Sequence, residues 1–292
     1  MNWKTIVKKL IPGIVWQNPY VNILLKFVDP VDYLVRLTRG TTHLPRYSIR
    51  VRSNGFTSQF GGKNFRRFGR IIFRHLYENT DLSMESRILE IGCGCGRTAF
   101  ALAEALGNCH YVGMDIEKVS LEASQKNRYL RAHGMHFDHL DIQNDEYNPK
   151  GQFSAHDYHF SYADRSMDVI FLVSVFTHML TDDVRNYIRE ISRMLAPGGI
   201  CMITTFLIDH GQQGANVSFP YKDKEHYFQH TSMPEIAVAY AMDFYTSEFE
   251  SHGLTLKRSP IWGSWRGSAS VQSNSDFGQD ILVFTKPKDA AA

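Results

Sequence analysis

A chain of 292 residues accommodates one large α/β domain with an added cap more readily than two independent domains, and its 43% hydrophobic and 21% charged residues match an ordinary globular composition. No apolar run reaches the roughly 20 residues of a helical membrane span and the N-terminus carries no signal-peptide core, so the cytoplasm is the expected compartment. The formal charge of +2 hides an asymmetry along the chain, and the four cysteines, Cys93, Cys95, Cys109 and Cys201, form no spaced metal or disulfide framework.

Residues 1–79 read as a basic helical cap. The chain opens with Trp3, Ile6, Val7, Leu10 and Ile11 against Lys4, Lys8 and Lys9, a short amphipathic pattern stopped by Pro12-Gly13. It reads as a helix packed on the main domain or as one that touches a membrane surface. From Tyr33 to Tyr77 there is no acid, while Arg36, Arg39, Arg46, Arg50, Arg52, Lys63, Arg66, Arg67, Arg70 and Arg74 supply ten positive charges; the rest of the chain holds 22 basic against 30 acidic residues, a remainder of −8. Phe60-Gly61-Gly62 reads as a flexible turn able to close over a neighbouring site. After it Phe65, Phe68, Ile71, Ile72, His75 and Leu76 recur at helical spacing among arginines. That basic amphipathic helix either packs apolar side down with solvated arginines or faces an anionic substrate or membrane.

Residues 80–292 form the main domain. Residues 87–91 read as a buried strand and 98–106 as a helix, joined by Gly92-Cys93-Gly94-Cys95-Gly96-Arg97. A strand that passes through a glycine turn into a helix leaves backbone N–H groups at a helix N-terminus for a ligand's anionic group. A dinucleotide fingerprint places its third glycine at 97, where this chain has Arg97, so the spacing is Gly-x-Gly-x-Gly. Residues 111–115 are a second buried strand ending in Asp115, placed to accept both hydroxyls of a ribose. Adenosine without a pyrophosphate is implied.

Residues 117–131 then read as one long helix, and 135–140 as a third strand ending at Asp141-Ile142. His133, His136, His139, His156 and His159 invite a metal site, but His136 and His139 would point to opposite faces of a strand and no matching carboxylate or cysteine follows; no metal is expected. Residues 144–151 are a turn-rich insertion expected near the mouth of the site. Residues 167–173 are a fourth strand running into Ser174-Val175-Phe176-Thr177-His178-Met179. Ligands of open parallel sheets sit beyond the carboxyl ends of the strands, which puts Ser174 and His178 on the active-site edge. A helix over 181–195, N-capped by Thr181 or Asp182, ends at Pro197-Gly198-Gly199 before a fifth strand at 200–206.

Taken together, Glu90-x-Gly-x-Gly-x-Gly, Asp115 and Leu195-Ala-Pro-Gly-Gly199 resemble the class I S-adenosylmethionine-dependent methyltransferases over roughly residues 80–205. The resemblance implies a doubly wound, Rossmann-like, mostly parallel seven-stranded sheet with an antiparallel edge hairpin. It implies S-adenosylmethionine held by Glu90, Gly92, Cys93, Gly94, Gly96, Arg97, Asp115, Ile116, Asp141, Ile142 and Ser174, with Asp141 and Ile142 at the adenine. The 174–179 phrase, with Gln279-Asp280, resembles a bacterial branch associated with glycan and secondary-metabolite pathways.

Beyond the fifth strand, residues 207–233 read as a polar, aromatic loop placed to cover a substrate, 234–252 as a helix, and 254–261 and 281–285 as the last two strands. Trp262-Gly263-Ser264-Trp265-Arg266 reads equally as a stacking platform for a sugar or as the packing of a long hairpin loop. The sequence therefore predicts methyl transfer to a hydroxyl of a small molecule, glycan or lipid-linked glycan, possible anionic, with His178 as general base and His156, His210 and His226 as alternatives. The rivals are a nucleic-acid or protein methyltransferase, disfavoured because no RNA-binding module or Asn-Pro-Pro-Tyr phrase is present, a non-catalytic S-adenosylmethionine-binding module, and a nicotinamide oxidoreductase, opposed by the glycine spacing. Peripheral membrane contact through the basic N-terminal segment is a further expectation.

Overall fold

A computed structural model of the protein describes residues 19–54, 58–145, 147–208, 217–266 and 276–289. Five parallel strands form, Arg87–Ile91 (β1), His110–Asp115 (β2), His136–His139 (β3), Met167–Leu172 (β4) and Leu195–Thr205 (β5), all but the polar edge strand β3 built on buried apolar runs. A separate antiparallel meander follows, Tyr221–Asp223 (β6), His226–Phe228 (β7) and Val238–Tyr240 (β8), and then Thr255–Leu256 (β9) and Asp280–Thr285 (β10). The main sheet runs β3-β2-β1-β4-β5-β10-β9, with β10 antiparallel to both neighbours. This is the expected seven-stranded, mostly parallel sheet with an antiparallel edge. Its order turns back on itself between β1 and β4, where Ile91 pairs with Leu172, so the crevice for a ligand opens above those two strand ends.

The helices are Pro19–Phe27 (α1), Asp29–Thr38 (α2), Tyr47–Asn54 (α3), Lys63–Asn79 (α4), Arg97–Leu106 (α5), Lys118–Gln125 (α6), Arg128–Ala132 (α7), Thr181–Met194 (α8) and Met242–Ser251 (α9). Phe65, Ile71, Ile72 and Leu76 of α4 join Phe100 of α5 in the core on one face of the sheet; Val184, Ile188 and Ile191 of α8 and Phe249 of α9 fill the other. Gly69 brings α4 onto α5, because a Cβ there would fall 2.5 Å from the Arg97 carbonyl oxygen.

The arginines of the acid-free segment mostly meet acids from outside it. Arg66 and Arg70 reach Glu104 at 3.1 and 3.0 Å, Arg74 reaches Asp276 at 2.5 Å, Arg46 reaches Asp29 at 3.5 Å and Arg52 reaches Glu117 at 2.7 Å. Arg36 and Arg50 close on Asp32 at 2.8 and 2.7 Å. Asp32 is sealed from solvent and also accepts the N–H groups of Tyr47 and Gly61 at 3.1 and 2.9 Å. The Phe60-Gly61-Gly62 turn is thereby packed on α2 rather than placed over the crevice: Gly61 has φ +77°, and a Cβ there would lie 2.8 Å from Val35.

Burial alone would raise the Asp32 carboxyl, but the hydrogen bonds from Arg50 and Gly61 and the charges of Arg50 and Arg36 hold it below its ordinary 3.8. A depressed folded pKa means stability present above about pH 4 and lost as pH falls through the folded value. Asp32→Asn is expected to lower stability by about 3 to 5 kcal/mol near neutral pH, as for a broken buried ion pair, with the difference from wild type shrinking in acid. Denaturant melts check this; equal midpoints at pH 7 would make the knot dispensable.

Four local expectations are corrected. The 117–131 helix is two, α6 and α7, because the Asn127 side chain accepts the Leu130 N–H and starts a new helix. Helix α8 starts after Leu180 with no side-chain cap; the Thr181 hydroxyl is engaged with His226 Nδ1 at 2.9 Å instead. Pro197, Gly198 and Gly199, read as the helix end, lie inside the long strand β5. The 234–252 helix is a single 3-10 turn at Pro234–Ile236, then β8, and only then α9.

Candidate active site

The turn after β1 is built for close approach. Gly92, Gly94 and Gly96 have φ of +80°, +54° and +79°, a region that other residues enter only with strain. At Gly92 a Cβ would lie 2.3 Å from Val175 Cγ2. The turn borders a cavity of about 300 Å³, the lower end of the range for small-molecule sites.

Two buried carboxyls hold the turn. Asp115, at the end of β2, accepts the Gly94 N–H at 2.6 Å and the Glu117 N–H at 2.7 Å, and burial pushes it up to about 6 despite them. Glu90 accepts the Tyr111 hydroxyl at 2.6 Å and the Thr98 hydroxyl at 3.0 Å, and burial pushes it up to about 7. Arg97 lines the same space beside Glu90; its burial pulls the guanidinium down and the Glu90 charge opposes this.

At the end of β4, Ser174 takes φ +62°, strained for a serine, and is held by two residues that also bond each other. Its N–H donates to the Thr204 hydroxyl at 2.8 Å, Gln279 Nε2 donates to its Oγ at 2.5 Å, and the Thr204 hydroxyl donates to Gln279 Oε1 at 2.6 Å. The next 3-10 turn, Phe176–His178, aims His178 into the cavity wall. Its Nδ1 is 3.0 Å from the Glu235 carbonyl, which can only accept, so Nδ1 carries the hydrogen and Nε2 is the basic nitrogen. Burial pulls the ring below its ordinary 6.5, which favours the neutral form. Tyr147 meets it edge to face at 5.6 Å.

The structure brings Glu90, Gly92, Cys93, Gly94, Arg97, Asp115, Ile116, Ile142, Ser174 and His178 to this one cavity. It does not bring Gly96 or Asp141. Gly96 turns the chain behind the site, against Leu130 and Ser124, and the Asp141 carboxylate accepts the Asn148 amide at 3.2 Å; Ile142 and Gln143 reach the cavity in its place. The Cys93 and Cys95 thiols are buried and pushed up, which keeps them protonated and unreactive. Of the alternative bases, His156 is exposed and held by the Ser154 hydroxyl, His226 is buried against Thr181, and His210 lies outside the described residues. The described part of 207–233 does not line the cavity; Glu235, just beyond it, does.

The loop around Trp265 is a packing device. The Trp265 ring is buried, its N–H donates to Asp280 at 2.8 Å, and Arg266 lies 4.2 Å over Trp262 while pairing with the same carboxylate at 3.1 Å. Among the described residues no three His, Cys, Asp or Glu side chains converge as metal ligands.

Sequence reasoning missed Arg52, Ser53, Glu117, Asp183 and Glu235, all in the cavity wall, whereas Asn144 and Tyr147 come from the 144–151 insertion expected at its mouth. Helix α3 supplies the first two: the Ser53 hydroxyl accepts the Cys95 N–H at 3.1 Å, and Arg52 bridges Glu117 at 2.7 Å and Asn22 at 2.8 Å. Asn144 donates to the Glu235 carboxylate at 2.9 Å, closing the opposite side. Asp183 is buried enough for its carboxyl to be raised.

Comparison with known proteins agrees with this geometry. A family described as a methyltransferase domain matches residues 89–201. The chain is 28% identical to Methyltransferase GfsG of Streptomyces halstedii, over 48% of this chain and 45% of that one. It is also 28% identical to a tRNA N(3)-cytidine methyltransferase of Gallus gallus, over 42% of this chain and 31% of that one. Among solved structures the PH0226 protein of Pyrococcus horikoshii shares the fold, with a TM-score of 0.53 and 14% identity over 82% of this chain and 98% of that one. The chain spans about half the length of the first curated relatives it matches. It carries a class I, S-adenosylmethionine-dependent methyltransferase domain.

The cavity residues fit S-adenosylmethionine. A carboxylate at the end of β2 suits ribose hydroxyls, Ile116, Leu140 and Ile142 offer an apolar seat for adenine, and Glu90, Arg97 and the N–H groups of the glycine turn offer partners for an amino-acid end.

Proposed function

We propose that the protein methylates a hydroxyl group of a small molecule, glycan or lipid-linked glycan, with His178 as general base. The observation that carries this reading is the Nδ1 contact of His178 with Glu235, which orients a neutral imidazole in the wall of the cavity that holds Asp115 and the glycine turn. Bound S-adenosylmethionine supplies a methyl group already activated on a sulfonium, so most of the barrier is met by alignment of the acceptor. In this reading Asp115 and the glycine turn fix the cofactor, Ser174 and its Thr204–Gln279 clamp shape the floor, and Tyr147, Asn144 and Glu235 border the acceptor side. His178 Nε2 receives the proton that a hydroxyl must lose. One named relative is a tRNA methyltransferase, so a nucleic-acid acceptor is the second reading.

Incubating the protein with methyl-labelled cofactor and fractionated cell extract tests the acceptor class. Label is expected in the small-molecule, glycan or lipid fractions. Label confined to nucleic acid or protein would overturn the proposal.

A further inference from the structure

The face of α1 and α2 turned away from the domain is apolar. Tyr20, Ile23, Leu24 and Phe27 recur at three- and four-residue spacing on α1, and Val31, Leu34 and Leu37 continue the row on α2, with exposures between 49% and 76%. Isolated exposed apolar residues are ordinary on a protein surface, but a contiguous row of this size marks an interaction site.

The charges of these helices are sorted to match. Their only acids, Asp29 and Asp32, are turned into the fold, Asp29 against the Ser48 hydroxyl at 2.7 Å and Asp32 against Arg36 and Arg50. Lys26 and Arg39 stand exposed. Residues 1–28 contain no acid and four lysines, Lys4, Lys8, Lys9 and Lys26, and the same amphipathic composition precedes α1 in Trp3, Ile6, Val7, Leu10 and Ile11. A second copy docked on this face would set lysine against lysine, whereas a negatively charged surface is complementary.

We propose that this face docks the protein on a membrane leaflet that carries anionic lipid, with Ile23, Leu24, Phe27, Val31 and Leu34 entering the interfacial layer and Lys26 and Arg39 meeting the headgroups. Docking here sets the cavity beside the leaflet, since Asn22 of α1 accepts Arg52 at 2.8 Å and Arg52 is in the cavity wall. The inference stands on the surface alone and does not depend on the acceptor proposed above.

The test is co-sedimentation of the full chain with vesicles of phosphatidylcholine, with and without phosphatidylglycerol. Wild type is expected to bind the anionic vesicles at least about ten-fold more tightly than the neutral ones and to be released by salt. Leu24→Glu with Phe27→Glu, both exposed, is expected to weaken binding by about ten-fold or more at an unchanged thermal midpoint. No wild-type binding, as when residues 1–18 or a second copy cover the face, would overturn the proposal. So would binding indifferent to lipid charge or undiminished in the double variant.

Discussion

Replacing His178 by alanine is expected to lower kcat about 100-fold or more while S-adenosylmethionine affinity stays within about two-fold of wild type. The base needs a neutral ring, and burial holds the His178 pKa below its ordinary 6.5. The wild-type kcat should therefore be flat through neutral pH and fall only in acid, as the ring takes up a proton. That acid limb should be absent from the alanine variant. Asp115, at about 6, also titrates in this range, but in the proposed reading it serves cofactor binding, so its titration is expected in the cofactor's KM. Kinetics with the acceptor fraction found by label transfer separates the two. If cofactor affinity falls in step with turnover, His178 is structural and Asp183, in the same cavity wall, is the next base to test.

The second large effect is expected at Asp115. Its carboxylate sits at the end of β2 with both oxygens steered by backbone N–H groups of Gly94 and Glu117. Asp115→Ala removes the charge meant for the ribose and also frees the turn, so cofactor affinity should fall by about 1 to 3 kcal/mol, roughly 5- to 150-fold. Unchanged affinity would place the cofactor elsewhere.

What was legible in the sequence is what local pattern determines. The glycine turn, the acids at the ends of β1 and β2, and the places of the parallel strands along the chain follow from apolar runs broken by Gly and Asp, while their order in the sheet was implied by the family resemblance; Glu90, Gly92, Gly94 and Asp115 converge on one cavity. The misses have a common physical form. The β6–β8 meander is made of three-residue strands, too short for periodicity to register, and its pairing rests on tertiary contacts such as Tyr240 donating to the Met179 carbonyl at 2.8 Å. Arg52 and Ser53 belong to the site only because α3 folds over a turn some forty residues later, bonding Cys95 and Glu117. The surplus of arginine looked solvated or substrate-directed because its partners, Glu104, Glu117 and Asp276, lie far along the chain. The Asn127 break was readable, since Asn three residues before Leu130 is a helix-starting signal; the apolar pattern across it masked the cap.

Calorimetric titration of the 292-residue chain tests the central assignment most directly, that the cavity at the glycine turn and Asp115 is an S-adenosylmethionine site. Saturable binding of S-adenosylmethionine at one site per chain, with no binding of nicotinamide dinucleotide, is the predicted result. No saturable binding of S-adenosylmethionine, or preference for the dinucleotide, would contradict it.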